Sequence, residues 1–264
     1  MELTVLKKED PRVKIFRERE LGKVYETNRC GKCTIIEYRK SCDITVKFHN
    51  PDCTVKCSLF DLQKGEVLNP LYPLVQGKGY RGIREPLIKD AYLYNIWAVM
   101  LQRGFCKLTK EKFPTYRDAT VCKEWLDFQV FAEWCYNQKG YKSVDKLGNK
   151  FQLDKDILVK DNKTYSPDTC CFVPKYINTL LTKSKRGRGS PVGVYPNRNG
   201  TFTTKLLTFN KRVYLGTFTT SDEAFSVYKK FKELHIKDTA NIWKDRIDLK
   251  TYESLINWEV LITD

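Results

Sequence analysis

The chain has 264 residues, of which 41% are hydrophobic and 13% aromatic, so it can bury a core and is not a disordered tail. This length favours two or three small domains over a single one. Lys and Arg number 47 against 32 Asp and Glu, and the resulting formal charge of +15 favours a polyanionic partner over an acidic small molecule.

The hydropathy of the chain argues against a membrane partner. No apolar run approaches the roughly 18 residues needed to span a bilayer, and the stretch 1–14 lacks the apolar core of a signal peptide. We therefore expect a cytoplasmic protein. Ten cysteines in such a setting are expected to be reduced.

Short β-prone runs at 34–38, 43–48 and 53–57 open the chain. Their period-two alternation, with breaks at Gly31 and Gly65, predicts a small, strongly bent antiparallel sheet or barrel. We assign residues 1–78 to this N-terminal β domain.

A zinc site is one interpretation of the cysteines in this domain. Cys30 and Cys33 have the Cys-x-x-Cys spacing of a zinc knuckle. The remaining ligands would be Cys53 or Cys57, with Cys42 or His49. Because the spacing of that second half is irregular, we favour reduced cysteines over zinc at Cys30 and Cys33.

A middle domain, 79–182, is predicted to combine helices with a β-hairpin. A basic, glycine-rich segment at 76–89 overlaps its start and is either a flexible connection lying against phosphates or a solvated linker. Apolar residues at helical spacing then predict two amphipathic helices whose aromatics belong to the core. These residues are Leu93, Ile96, Trp97, Met100 and Leu101, then Trp125, Phe128, Ala132 and Cys135. Residues 150–182 predict a strand, a tight turn, a second strand and a short helix.

A basic, glycine-rich linker at 183–191 marks the clearest domain boundary. Linkers of this composition track the DNA backbone, so we place Lys185, Arg186 and Arg188 among the DNA-binding residues.

The C-terminal domain, 192–264, predicts a three-stranded antiparallel sheet packed on one helix, and the overall fold class is α+β. Three β-prone runs lie in 192–218, and the Asn-Gly pair at 199–200 is a hairpin signal. Ser221 is predicted to cap the following helix. Its apolar stripe is predicted to be Ala224, Val227, Tyr228, Phe231 and Leu234.

Alternation along the strands predicts which side chains face the helix and which stand on the solvent-exposed face of the sheet. Phe202, Thr204 and Leu206 should face the helix, which sends Thr201, Thr203 and Lys205 outward. Tyr195, Arg212 and Tyr214 join them from neighbouring strands, and Arg198 lies in the turn. Such a face can donate to phosphates, pair with guanine and contact thymine methyl groups, so these residues are the candidate DNA-binding set.

The motifs of this domain resemble the DNA-binding domain of plant ethylene-response (Apetala-two) transcription factors, which also occurs in phage endonucleases. They are G-V-Y at 193–195, N-G-T-F at 199–202, R-V-Y-L-G-T-F at 212–218 and S-D-E-A at 221–224, followed by Tyr228. The resemblance implies that Tyr195, Lys205, Arg212 and Tyr214 face DNA. Tyr195 stands where the plant domains usually carry Arg, and Tyr214 where they carry Trp.

The middle domain resembles phage proteins described as HNH-like endonucleases. The matching residues are Trp97, Met100, Arg103, Tyr116, Val121, Cys122, Trp125, Phe128, L-D-K-D at 153–156, Y-S-P-D-T-C at 165–170 and Asn178. Together with the C-terminal domain, this resembles the architecture of mobile phage homing nucleases. It implies DNA cleavage with a divalent metal ion.

The catalytic motif departs from that family. An HNH nuclease uses a neutral His to activate water beside a metal ion. Lys155 stands at the position of that His, and Thr169 at the position of the central Asn. The two histidines of the chain are His49, in the N-terminal sheet, and His235, expected at the end of the C-terminal helix.

Two carboxylates are left as metal ligands. Asp154 and Asp156 are two residues apart on a predicted strand, so they would share a face and could hold one Mg²⁺, completed by Asp168 or Asn178. We therefore take Asp154, Lys155 and Asp156 as catalytic candidates. The alternative is a structural or capping role.

Three functions follow from the sequence. The first is a phage or mobile-element HNH-like endonuclease that binds double-stranded DNA and cuts it with Mg²⁺. The second is a nuclease-derived protein without catalysis that binds DNA or, in counter-defence, a protein. The third is a protein-interaction module whose charge only aids solubility.

Overall fold

The computed structural model describes residues 10–182, 190–209 and 211–264. The fold is mixed α+β, as predicted. No helix within these three ranges is both long enough and apolar enough to cross a membrane. The chain forms two compact units, with residues up to Lys112 and Lys123–Ala132 in the first, and Phe113–Cys122 and Glu133–Asp264 in the second.

An antiparallel sheet forms the centre of the first unit. Its strands are β1 (Val24–Thr27), β2 (Gly31–Lys40), β3 (Asp43–His49) and β4 (Asp52–Cys57), preceded by α1 (Pro11–Glu20) and followed by α2 (Leu59–Gln63). The order β1-β2-β3-β4 places β1 and β4 at the two edges, so the predicted sheet is open and not a barrel. Ile44, Val46 and Phe48 are fully buried, which confirms the period-two pattern of β3.

Aromatic side chains form the rest of the first unit's core. Helix α3 (Ala91–Phe105) is followed by α4 (Lys107–Lys112) and by α5 (Phe128–Tyr136), whose last four residues belong to the second unit. The Trp97 indole N–H donates to the Trp125 carbonyl at 2.7 Å, and both rings are fully buried, as predicted.

The segment 76–89 is tied to α5 by hydrogen bonds, so its interpretation as a flexible connection is wrong. The Gln129 side chain accepts from the Ile88 backbone N–H at 2.8 Å and donates to the Arg81 carbonyl at 3.2 Å. Gln129 is itself buried, so these bonds satisfy its polar atoms.

Short strands begin the second unit. They are β5 (Thr120–Val121), β6 (Gln152–Asp154), β7 (Thr164–Tyr165) and β8 (Cys171–Val173), followed by α6 (Lys175–Leu181). Strand β6 pairs with β8 antiparallel, and β5 pairs with β7 in parallel. Cys170 and Cys171 are both buried, as expected for packing residues of a strand.

The predicted C-terminal sheet and helix are present in the second unit. The elements are β9 (Val194–Pro196), β10 (Phe202–Thr208), β11 (Lys211–Phe218), α7 (Ser221–Trp243) and α8 (Leu249–Ile256). The antiparallel order is β11-β10-β9, and α7 packs on one face of the sheet.

Helix α7 differs from prediction at its start. Its N-cap is Thr220, whose hydroxyl accepts from the Glu223 backbone N–H at 3.3 Å, while the Glu223 carboxylate accepts from the Thr220 backbone N–H at 3.3 Å. The predicted cap, Ser221, is the first helical residue, because this reciprocal capping box selects the residue three positions before Glu223.

The buried stripe of α7 also differs from prediction. The helix continues to Trp243, so His235 lies within it and not at its end. Phe231 and Leu234, predicted as core residues, are 43% and 52% exposed. Two buried residues of α7 are polar: the His235 ring lies 2.6 Å from the Tyr176 hydroxyl oxygen, and the Thr239 hydroxyl donates to the His235 carbonyl at 2.7 Å. The buried residues of α7 are Ala224, Tyr228, His235, Ile236, Thr239, Ala240 and Trp243.

Candidate nucleic-acid interface

The side of the C-terminal sheet opposite α7 brings most of the predicted DNA-binding residues together. Thr203 pairs with Tyr195 on one side and with Thr217 on the other, and Lys205 pairs with Tyr214. Directly opposite residues of neighbouring strands share a face. We define the open face as Tyr195, Thr203, Lys205, Leu207, Arg212, Tyr214 and Thr217.

Burial confirms which side is open. Thr204 and Leu206 are 0% and 4% exposed, as expected for residues that face the helix. On the open face, Tyr214 is 61% exposed and Leu207 is 54% exposed. The face therefore presents cationic, aromatic, hydroxyl and aliphatic groups to solvent.

A β-bulge in β11 places Thr217 on the open face. The partner of Thr204 is Gly216, and the partner of Lys205 is Tyr214, so Leu215 is the extra residue of β11. Strict alternation from Arg212 would turn Thr217 toward the helix, whereas the bulge places it on the open face. Thr217 and Leu207 were not predicted from the sequence, and Gly216 inside β11 was the available signal for a bulge.

Hydrogen bonds connect the polar groups across the sheet. The Asn197 side-chain amide donates to the Thr203 hydroxyl at 2.9 Å. The Thr203 and Thr217 hydroxyl oxygens lie 3.2 Å apart, and the Tyr214 and Thr217 hydroxyl oxygens 2.8 Å apart. These bonds restrict the rotamers of the hydroxyl groups that a ligand would meet.

Thr201 and Arg198 lie in the turn before β10. The Thr201 hydroxyl donates to the Asn199 side-chain oxygen at 2.7 Å, so Thr201 stabilises the turn and is not part of the paired face. Arg198 is exposed there. The predicted linker residues Lys185, Arg186 and Arg188 lie outside the described residues.

The sequence stretch that contains this face carries charge of one sign. From residue 169 to residue 221 the sequence holds nine Lys or Arg and no Asp or Glu. An uninterrupted positive stretch of this kind concentrates polyanions near the surface. The net charge of the chain does not by itself show this local asymmetry.

Close packing between Gly193 and α7 holds the sheet on its helix, on the side opposite the open face. Gly193 has φ +74°, and a Cβ added there would lie 2.2 Å from the Tyr228 ring of α7. The Thr204 hydroxyl donates to the Gly193 carbonyl at 2.9 Å. Glycine therefore allows β9 to meet α7 closely, which fixes the sheet on its helix.

The predicted catalytic residues lie where β6 ends. Asp154 is the last residue of the strand, and its Oδ1 accepts the backbone N–H of Asp156 at 2.7 Å and of Ile157 at 3.0 Å. These bonds turn the chain, so the expectation that Asp154 and Asp156 share a strand face is wrong. Burial raises the pKa of Asp154, partly offset by the hydrogen bond from the Asp156 backbone.

Lys155 has structural partners. Only 6% of the residue is exposed, and its ammonium contacts the Asp156 carboxylate and donates to the Asn162 carbonyl at 2.9 Å. The ammonium also lies 5.9 Å from the centroid of the Tyr165 ring. Lys155 therefore organises this loop.

These contacts bear on the predicted Mg²⁺ site. One Asp154 oxygen already accepts two N–H groups, and the Asp156 carboxylate is neutralised by Lys155. In the described ranges, no three His, Cys, Asp or Glu residues are grouped so that they could hold a metal ion. The geometry gives Asp154 the capping role, and Mg²⁺ binding stays a prediction that the geometry does not favour.

Among the candidate zinc ligands of the first unit, Cys30, Cys33 and Cys53 are buried, Cys57 is half-buried and Cys42 is exposed. Burial raises the pKa of Cys33, and the neighbouring Cys30 raises it further. Burial, Cys33 and Asp61 raise the pKa of Cys57 to about 11. The His49 Nε2 atom lies 3.0 Å from the Thr34 hydroxyl oxygen. The reduced-cysteine interpretation stays a prediction.

Comparison with known proteins identifies no relative: no family model, curated protein or solved structure matches the chain. Both resemblances therefore depend on the motif residues themselves.

Proposed function

We propose that the protein binds double-stranded DNA and that the open face contacts base edges in the major groove. The observation that carries the proposal is the composition of this face. Lys205, Arg212, Tyr195 and Tyr214 share it with ordered hydroxyl groups, inside a stretch without a carboxylate. Sheets with such side chains are one of the known ways to enter a DNA groove.

Each class of side chain on the face has a matching group on DNA. The Arg212 guanidinium can pair with guanine O6 and N7, and Lys205 can donate to a base or a phosphate. The hydroxyls of Thr203, Thr217 and Tyr214 donate and accept, and Leu207 offers methyl groups to thymine. The face thus contains both the charge for affinity and the directional groups for base preference.

Basic residues at both ends of the sheet are suited to the phosphates. Arg198 lies in the turn between β9 and β10, and Lys211 begins β11 beyond the opposite end of β10; both are exposed. Together with Lys205 and the linker cations Lys185, Arg186 and Arg188, they would make about six phosphate contacts, which gives a log–log salt slope of roughly −5.

Between the functions that include DNA, the geometry supports binding without cleavage more than an HNH-like endonuclease. The support is the internal pairing of Lys155 with Asp156 and the capping bonds of Asp154. Cleavage with Mg²⁺ is the competing proposal, and the same preparation tests it.

The full chain is used to select bound sequences from a pool of random DNA duplexes, once in Mg²⁺ and once in EDTA. We expect an enriched motif for the wild type and its loss for the double variant Lys205→Ala, Arg212→Ala. The matched control is Lys230→Ala, which removes an exposed cation from α7, the helix on the other side of the sheet. Equal selection by the wild type and the double variant would overturn the proposal.

Nicking in Mg²⁺ that stops in EDTA would instead establish the endonuclease. In that case Asp154→Ala and Asp156→Ala should each abolish nicking while motif selection persists.

A further inference from the structure

Helix α6 contacts the turn between β10 and β11, although it precedes the linker and lies outside the sheet. The Tyr176 and Phe209 rings stack with centroids 4.6 Å apart and an interplanar angle of 8°. The Phe209 backbone N–H donates to the Tyr176 hydroxyl at 3.0 Å. One residue of α6 thus holds both the side chain and the backbone of the turn.

His235 of α7 completes this cluster. Its Nε2 lies 2.6 Å from the Tyr176 hydroxyl oxygen, and its ring meets the Phe209 ring edge-on at a centroid distance of 5.2 Å. Because the Tyr176 oxygen accepts the Phe209 N–H, its own hydrogen is available for Nε2. That assignment requires a neutral imidazole with its hydrogen on Nδ1.

The backbone of Phe209 indicates that the turn needs such support. Its φ is +37°, in a region that a bulky residue rarely occupies. Conformations of this kind persist where surrounding contacts impose them. Stacking, the edge-on contact and the hydrogen bond all act on Phe209.

The turn controls the open face because the flanking pairs belong to that face or adjoin it. Leu207 pairs with Arg212, and Thr208 pairs with Lys211. A displacement of Phe209 would therefore reach the Thr208–Lys211 pair and then the Leu207–Arg212 pair, which contains the group proposed to pair with guanine.

We propose that Tyr176 is a positioning residue for DNA recognition, which with His235 holds the β10–β11 turn so that Arg212 meets its base. The inference rests on the proposed DNA binding. This role would make α6 part of the DNA-binding region, although α6 lies outside the residues that carry the Apetala-two resemblance.

The test is Tyr176→Phe in the full chain, which keeps the stacked ring and removes the hydroxyl. Without DNA, we expect hydrogen exchange of the Phe209 amide to accelerate about three- to tenfold, as for the loss of one hydrogen bond. With the selected duplex, we expect affinity to fall by a similar factor and preference to weaken at the base that Arg212→Ala affects. The salt slope should not change, because no phosphate contact is lost.

Tyr252→Phe is the matched control, because its hydroxyl donates to the Asn241 side chain at 2.9 Å, between α8 and α7. It should leave exchange at Phe209 and DNA preference unchanged. If Tyr176→Phe does not fold, Phe209→Leu removes the stacking at a residue that is 54% exposed, and the same two effects are expected.

The outcomes separate the two proposals. If the wild type binds no duplex, the proposed function fails. Slower exchange of the Phe209 amide in the wild type than in Tyr176→Phe would still show that Tyr176 holds the turn. If the wild type binds its motif and the folded variant binds it with equal affinity and preference, the positioning role of Tyr176 is overturned.

Discussion

Lys205 of β10 lies directly opposite Tyr214 of β11, immediately beside the bulge at Leu215. The pairing places a cation and an exposed aromatic ring next to each other on the same sheet face. Without the extra residue, the next pair along the hairpin would present a different set of side chains. The chemistry of the open face thus depends on one irregularity in the pairing.

Arg212 and Arg198 should differ in what they contribute to DNA binding. Arg212→Ala is expected to cost about 1–3 kcal/mol and to relax preference at one base pair, because a bidentate contact to guanine is lost. Arg198→Ala should weaken all sequences alike and reduce the salt slope by about 1. Titrations of two duplexes at several salt concentrations measure both effects, and identical behaviour of the two variants would contradict this assignment.

Gly193→Ala should destabilise the second unit by about 2–4 kcal/mol, because strain at φ +74° is added to a clash with the Tyr228 ring. Gly200→Ala is the matched control. Gly200 has φ +80° with nothing within 4 Å of an added Cβ, so only backbone strain is introduced. The free energy of unfolding should then fall by about 1 kcal/mol. Urea unfolding of both variants measures the difference, and equal losses would show that the Tyr228 contact contributes nothing.

Thr220→Ala should lower the free energy of unfolding by about 1 kcal/mol, because it removes the cap of α7. Ser221→Ala, one residue later, should change it by less than about 0.5 kcal/mol. Thermal unfolding distinguishes the two, and the reverse order would restore Ser221 as the cap.

Stability should fall as the pH is lowered from about 7. Burial lowers the pKa of His235, the nearby Lys232 lowers it further, and Asp238 opposes the shift. As the pH falls, His235 takes up a proton near pH 6.5 in the unfolded chain, but only at a lower pH in the folded chain. Protonation therefore favours the unfolded chain, and the loss of stability grows until the pH reaches the pKa of His235 in the folded chain. Urea unfolding of the wild type and His235→Gln at pH 5–8 should show a smaller slope for the variant, and equal slopes would exclude His235 as the cause.

Asp154→Ala should lower the free energy of unfolding by about 1–2 kcal/mol, because two backbone N–H groups lose their acceptor. We expect the difference from the wild type to be the same with Mg²⁺ and with EDTA. A stabilisation by Mg²⁺ that is seen in the wild type and absent from Asp154→Ala would instead demonstrate metal binding at this carboxylate.

Burial patterns made much of the fold predictable from the sequence. Alternation located β2, β3, β4 and the three C-terminal strands, and helical spacing located the Trp97 helix, because in each case one face is buried and the other is wet. The same alternation placed Thr203, Lys205 and Tyr214 on the open face.

Features that depend on pairing or on distant contacts could not be predicted in this way. The bulge turns Thr217 outward, and Gly216 indicates a bulge in β11 without specifying which residue is the extra one. His235 is buried because Tyr176, 59 residues earlier in the chain, is its partner. Asp154 was expected to continue a strand, but its side chain accepts the backbone N–H groups that follow, which ends the strand.

Strand β11 lies at the edge of its sheet, with β10 on one side only. An edge strand offers unpaired backbone N–H and C=O groups to any other extended chain, and charged side chains are a common protection against such β-addition. Lys211 and Arg212 stand at the start of this strand, and both are exposed. Neutralising them would therefore remove a barrier to aggregation as well as two cations, and light scattering should accompany every binding assay of these variants.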